Sequence, residues 1–230
     1  MDWIVHASTY ADSVDNAILL ITWLVGFWFF LTLGIFFWLI IRYRAKPGVD
    51  AQYLTGGEAQ PKKFITWIHM LVLVCDVFIV VAAIRVWVEV KQTLPETPET
   101  QTVRVIGQQW AWSFVHPGPD GQLDTPDDIK TVDDLHIEVD RPYIYELTSR
   151  DVMHSFSVIS FRLKQDAVPG RVITGWFQAT KAGDYMIQCA EMCGIGHGLM
   201  PATVHVETPE QHAAWQASQS GGAMLAQAGR

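Results

Sequence analysis

Residues 17–41 read AILLITWLVGFWFFLTLGIFFWLII, twenty-five positions without one charged side chain. As a helix rising 1.5 Å per residue, the run reaches roughly 37 Å, enough to cross the hydrocarbon core of a bilayer with some tilt. Arg42 and Arg44 follow it directly. A buried helix of a large soluble protein has no use for so long an uncharged stretch, so a membrane span is the reading. A second apolar run, residues 64–88, carries His69, Asp76 and Arg85. The two predict a transmembrane hairpin over residues 1–91, with helices at about 17–41 and 64–88 and a loop at 42–63.

Charge sets the expected orientation. The loop holds Arg42, Arg44, Lys46, Lys62 and Lys63 against Asp50 and Glu58, whereas the N-terminal tail holds Asp2, Asp12 and Asp15 and no base. The positive-inside rule puts the loop in the cytoplasm and both ends on the outer, periplasmic side of a bacterial-type inner membrane. The tail has no basic segment leading into a short apolar stretch, so a cleaved signal peptide is not expected. His69 and Asp76, seven apart, share one helix face, and intramembrane charges of this kind face protein or a water path. Cys75 reads as packing.

Half of the 230 residues are hydrophobic and 17% are charged, which excludes a disordered chain. The net charge of −8 argues against a nucleic-acid partner. Residues 1–91 hold seven acids and seven bases, so the whole excess sits on residues 92–230. After a polar, Pro-containing linker at 92–101 come short runs rich in Val, Ile, Tyr, Phe and Trp. They lie at 102–106, 109–116, 135–139, 143–148, 153–159, 171–179, 184–188 and 203–206, a spacing that predicts an antiparallel sandwich or barrel over 102–207. Thr208-Pro209-Glu210 reads as a helix start. That helix is expected to reach about Ser218 within a C-terminal segment, 208–230, whose end is a flexible tail.

The chemistry concentrates in QCAEMCGIGHGLM, residues 188–200. Cys193, His197, Met200 and an upstream His154 form the ligand set of a copper electron-transfer site, where soft sulfur suits Cu(I) and imidazole serves both oxidation states. Cys189 adds a second thiolate, which a one-metal site does not need but a two-copper core bridged by sulfur does. The backbone carbonyl of Glu191, between the cysteines, is then available as a weak ligand, as is Met200. A Cys189–Cys193 disulfide and a Cys2His2 zinc site are the alternatives these residues leave open.

Around that loop, the chain resembles subunit II of the haem–copper terminal oxidases, the cytochrome c oxidase family with a binuclear copper A centre. The resemblance rests on the membrane hairpin, the copper loop, Gln109-Trp110-Ala111-Trp112-Ser113, Thr148 to Ser155, and Leu163-Lys164 through Val168-Pro169-Gly170-Arg171. It implies a membrane-anchored all-β protein whose domain is a cupredoxin-like Greek-key β-barrel. It implies His154, Cys189, the Glu191 carbonyl, Cys193, His197 and Met200 as copper ligands. The Glu191 side chain would reach a magnesium or manganese site shared with subunit I. Trp110 would take up the electron from cytochrome c, and the partners would be subunit I, which bears haem and reduces oxygen, and subunit III.

The chain departs from the family pattern at Gln108, where His is frequent, at Phe156, where Trp is frequent, and at Phe64, where many members carry a proton-channel carboxylate. Glu58 is the substitute candidate there. A membrane-tethered copper carrier and the copper A subunit of a nitric oxide reductase are the competing functions. A quinol-oxidase homologue would lack these ligands.

Two further readings concern the exported part. Trp110 and Trp112 are two apart and, on one strand, would face the same side. Residues 116–134 (HPGPDGQLDTPDDIKTVDD) hold six Asp and one Lys. They read as a solvated hairpin insertion, an acidic docking surface for cytochrome c, or a calcium loop.

Overall fold

The computed structural model describes residues 5–50, 55 and 59–228, and Glu58 lies outside them. The chain divides into two compact units, residues 13–87 and residues 1–12 together with 88–230.

The first unit is helical. Helix α1, Ala11–Arg42, has Asp12 in its first turn and Arg42 in its last, each complementing the helix dipole. Helix α2, Ala59–Trp87, follows. Both are long and apolar enough to cross a membrane. They begin five or six residues before the apolar runs do, because apolarity marks the lipid-facing part while the backbone hydrogen bonds continue through flanking polar residues. A groove between the helices is lined by Trp28, Thr32, Phe64, Cys75 and Asp76 among others. His69 Nδ1 lies 2.8 Å from the Ile65 carbonyl, one turn back on its own helix.

The second unit is two five-stranded sheets. The strands are β1 Gln101–Gln108, β2 Ala111–His116, β3 Ile129–Val132, β4 Asp134–Glu138, β5 Pro142–Ser149, β6 His154–Val158, β7 Leu163–Ala167, β8 Ile173–Gln178, β9 Gly183–Cys189 and β10 Ala202–Glu207. One sheet runs β3-β2-β1-β5-β8 and the other β4-β10-β9-β6-β7. The pairs β1–β5 and β4–β10 are parallel, so the fold is not wholly antiparallel as the strand spacing predicts. Alternation along β5 turns Tyr143, Tyr145 and Leu147 inward, and Val103 and Val105 of β1 do the same. Trp112 and Tyr145 meet Phe156 of the opposite sheet, at ring-centroid distances of 5.6 and 6.3 Å, which closes the core of a cupredoxin-like domain.

β3 and β7 escape the sequence reading for one reason. Each is a short outermost strand of its sheet interrupted by Lys or Asp, as edge strands are to discourage further pairing. The N-terminal tail is also part of this unit: Ala7 N–H donates to the Ser160 carbonyl and Thr9 N–H to that of Gln178, and Tyr10 is fully buried. Helix α3, Pro209–Ala228, starts in a reciprocal cap, Gln211 N–H to Thr208 Oγ1 and Thr208 N–H to Gln211 Oε1. It runs ten residues past the expected end near Ser218.

Candidate metal centre

β6 and β9 are neighbours, with Phe156 opposite Cys189, and this register sets His154 beside Cys189. Ala190 N–H donates to the Ser155 carbonyl and fastens the start of the loop. A single 3-10 turn, His197–Leu199, then swings His197 and Met200 back over Cys193. Opposite His154, Gly107 leaves room for the ring: a Cβ there would lie 3.1 Å from it.

The donor atoms form one chain of contacts. Cys189 Sγ lies 3.9 Å from His154 Nδ1, 3.3 Å from the Glu191 carbonyl oxygen and 3.8 Å from Cys193 Sγ. Cys193 Sγ lies 3.6 Å from His197 Nδ1 and 3.4 Å from Met200 Sδ. The donor atoms of His154, Cys189 and Cys193 are all within 4.8 Å of one another and could hold a metal ion. His154 is fully buried and Cys193 and Met200 nearly so, whereas Cys189, Glu191 and His197 are half-buried, so the site is shielded on one side and opens towards the surface on the other. Both cysteines are free, which removes the disulfide alternative. Burial first, then the neighbouring Cys189 thiol, pushes Cys193 up to about 11. A cation held by these sulfurs would offset that cost. Two thiols, two imidazoles and a thioether are a soft set, suited to copper, and a thioether has no place in a Cys2His2 zinc site.

Asp151, Gln109 and Gly196 belong to the site although the sequence reading gave them no role. Asp151 accepts from His154 Nε2 at 2.9 Å, from the Gln109 N–H at 2.7 Å and from the Val152 N–H at 2.7 Å. Burial opposes its charge, but these hydrogen bonds outweigh it and hold the carboxyl below the usual carboxylate range. Gln109 donates its side-chain amide to the Cys193 carbonyl at 2.8 Å. The signal for Asp151 was its position three residues before His154, close enough to share a turn.

Trp110 and Trp112 do not share a face. Gln108 pairs with Ala111, so Gln109 and Trp110 are the two-residue turn between β1 and β2, where strand alternation does not apply. Trp112 is fully buried core, whereas Trp110 is 39% exposed. Its indole lies on the metal loop, where a Cβ at Gly196 would come within 2.4 Å of the ring.

In residues 116–134, the stretch read as a hairpin insertion, docking surface or calcium loop, the carboxylates form no converging group of three among the described residues. They are spent on structure: Asp120 accepts from the Gln122 N–H, Asp127 from the Thr125 hydroxyl, Asp128 from the Asp124 N–H and Asp133 from the Trp112 N–H. Arg104 holds Asp124 through two hydrogen bonds, of 2.8 and 3.0 Å, and Glu146 as well. The segment is not a plain solvated hairpin either, since its end forms β3.

Two helices fit to cross a membrane, then a cupredoxin-like domain with a soft-ligand pocket at one end, define the class of protein. Residues 101–207 match the family described as cytochrome c oxidase subunit II, periplasmic domain. The alternative cytochrome c oxidase subunit 2 of Bradyrhizobium diazoefficiens is 29% identical over 93% of this chain and 82% of that protein. Cytochrome c oxidase subunit 2 of Thermostichus vulcanus is 46% identical over 50% of this chain, and that of Cereibacter sphaeroides 34% identical over 55%. Those two matches span 32% and 52% of the relatives' own lengths. The solved periplasmic domain of subunit II of cytochrome oxidase from Bradyrhizobium japonicum is 28% identical, with a TM-score of 0.49 over 56% of this chain and 98% of that one.

Proposed function

We propose that the chain is the electron-uptake subunit of a respiratory haem–copper oxidase. It accepts electrons from cytochrome c on the periplasmic side and passes them to haem in subunit I. One observation carries the reading: two free cysteine sulfurs lie 3.8 Å apart, with imidazole, thioether and carbonyl donors on either side.

A bound copper A centre supplies one-electron storage shared between two metals. Cys189 and Cys193 would hold it as thiolates, so its uptake would release protons. His154 and His197 each offer Nδ1, and Met200 Sδ and the Glu191 carbonyl act as weak ligands. The fixed loop holds these donors in one arrangement, which limits movement between oxidation states. Trp110 offers an exposed aromatic surface in contact with the loop, where a docked donor passes its electron. The Glu191 side chain, half-buried beside the ligands, is the group for a magnesium or manganese ion shared with subunit I. The apolar hairpin anchors the chain and packs against its partner subunits.

The test is complementation. Membranes lacking this chain should lose oxygen uptake driven by reduced cytochrome c. The wild-type chain should restore it and Cys193→Ser should not, while a haem-bearing subunit co-purifies with the wild type. Full activity with Cys193→Ser would overturn the reading.

A further inference from the structure

Between the aromatic turn and His154 sits one carboxylate that binds both. Asp151 Oδ1 lies 2.9 Å from His154 Nε2, and its Oδ2 accepts the Gln109 N–H at 2.7 Å. His154 Nδ1 faces Cys189 Sγ. The His154 ring is fully buried and is boxed in by Gly107 behind it and by Trp112, whose ring centroid is 5.9 Å away. Asp151 is itself fixed: the Val152 N–H also donates to its carboxylate, and its own N–H donates to Ser149 Oγ.

Resting on the copper reading above, we propose that Asp151 is the positioning residue of this centre. It fixes the His154 tautomer with the proton on Nε2, leaving Nδ1 as the metal donor, and it tunes the electron affinity of the bound group. A histidine ligand whose other N–H meets a carboxylate is oriented by it and made a stronger donor. A stronger donor favours the oxidised, more positive centre, so the carboxylate lowers the reduction potential. Through the Gln109 N–H the same group ties the turn that carries Trp110 to the ligand, so the electron-accepting surface and the metal are held by one anchor. Gln109 makes a second tie, from its side-chain amide to the Cys193 carbonyl.

Asp151→Asn removes the charge but keeps an oxygen that can accept from Nε2. In the copper-loaded full chain in detergent, it should retain the metal and raise the electron affinity about tenfold, which is about 59 mV for one electron. Asp151→Ala, which also loses the acceptor, should weaken metal retention about 10- to 100-fold and alter the His154 hyperfine couplings. A potential and hyperfine pattern in Asp151→Asn equal to those of the wild type, with only the salt dependence of cytochrome c association changed, would reduce Asp151 to a docking charge and overturn the proposal. If Asp151→Asn does not fold, the wild type decides. With isotope-labelled histidine, an Nε2 proton on His154 that exchanges slowly with deuterium supports the assignment, and an unprotonated Nε2 overturns it. A wild-type chain that takes up no copper at all fails the functional reading first, and is told apart because no variant is needed to see it.

Discussion

Trp110 lies directly on Gly196: a Cβ built at Gly196 would stand 2.4 Å from Cδ2 of the indole. The contact falls between two of the donor residues, Cys193 and His197. Only a residue without a side chain allows the ring so close to that backbone, and no side chain then separates the aromatic surface from the donors.

Trp110→Ala and Gly196→Ala should therefore act alike. Both should leave the optical spectrum of the bound copper intact, because neither side chain is a ligand, and both should slow reduction by cytochrome c. Stopped-flow reduction of the full chain reads this. Wild-type rates in both variants would make the contact a packing detail.

The acidic face should steer association with a cationic cytochrome c. The whole −8 lies on residues 92–230. Steered encounters weaken as salt shortens the Debye length from about 10 Å at 0.1 M to about 3 Å at 1 M. The on-rate should fall steeply over that range, and neutralising Asp124, Asp127 and Asp128 together should flatten the fall. Arg104 already offsets Asp124, so Asp124→Asn alone should do little. An unchanged slope in the triple variant would place docking on other acids, such as Asp166 or Asp184.

His116 should make the β unit acid-sensitive. Burial, above all, lowers its pKa from the ordinary 6.5 to about 3. The neutral ring is held on both sides: Nδ1 lies 3.3 Å from the Ile129 carbonyl and Nε2 accepts the His136 N–H at 3.0 Å. Below about 6.5 the unfolded chain binds a proton that the folded one refuses. Stability should thus be fully present above that value and fall as pH drops towards 3, by up to about 1.4 kcal/mol per pH unit from this group. The difference in thermal unfolding between wild type and His116→Asn, followed from pH 7 to pH 5, isolates this contribution. Parallel curves would contradict it.

His205 should work in the opposite sense. Burial disfavours its charge, but Asp134 and Asp184, bonded to its two ring nitrogens at 3.1 and 2.8 Å, outweigh burial and raise its pKa. Its contribution is present below the ordinary histidine value and lost as pH rises through the raised one. His205→Gln should remove this loss, seen as a flatter decline in unfolding temperature between pH 6 and pH 8. A decline as steep as the wild type's would contradict it.

Features carried by local pattern were legible in the sequence. An uncharged run of twenty-five residues can do little but span, and Cys-x3-Cys-x3-His-x2-Met can hardly avoid converging once the loop turns. Features that depend on strand register and on edge position were not. β3 and β7 are short edge strands, each completed by pairing with a single neighbour, β2 and β6. Trp110 left the strand pattern because the β1–β2 register placed it in a turn. The role of the acidic stretch at 116–134 was not legible either, because Asp acts as a turn residue as readily as a ligand, and here its oxygens serve backbone N–H groups.

Metal content and electron paramagnetic resonance of the purified, oxidised chain test the central claim most directly. The account predicts two coppers per chain and hyperfine structure from one unpaired electron shared equally by two copper nuclei, both lost in Cys189→Ser. One copper per chain, hyperfine structure from a single nucleus, or zinc in place of copper would contradict it.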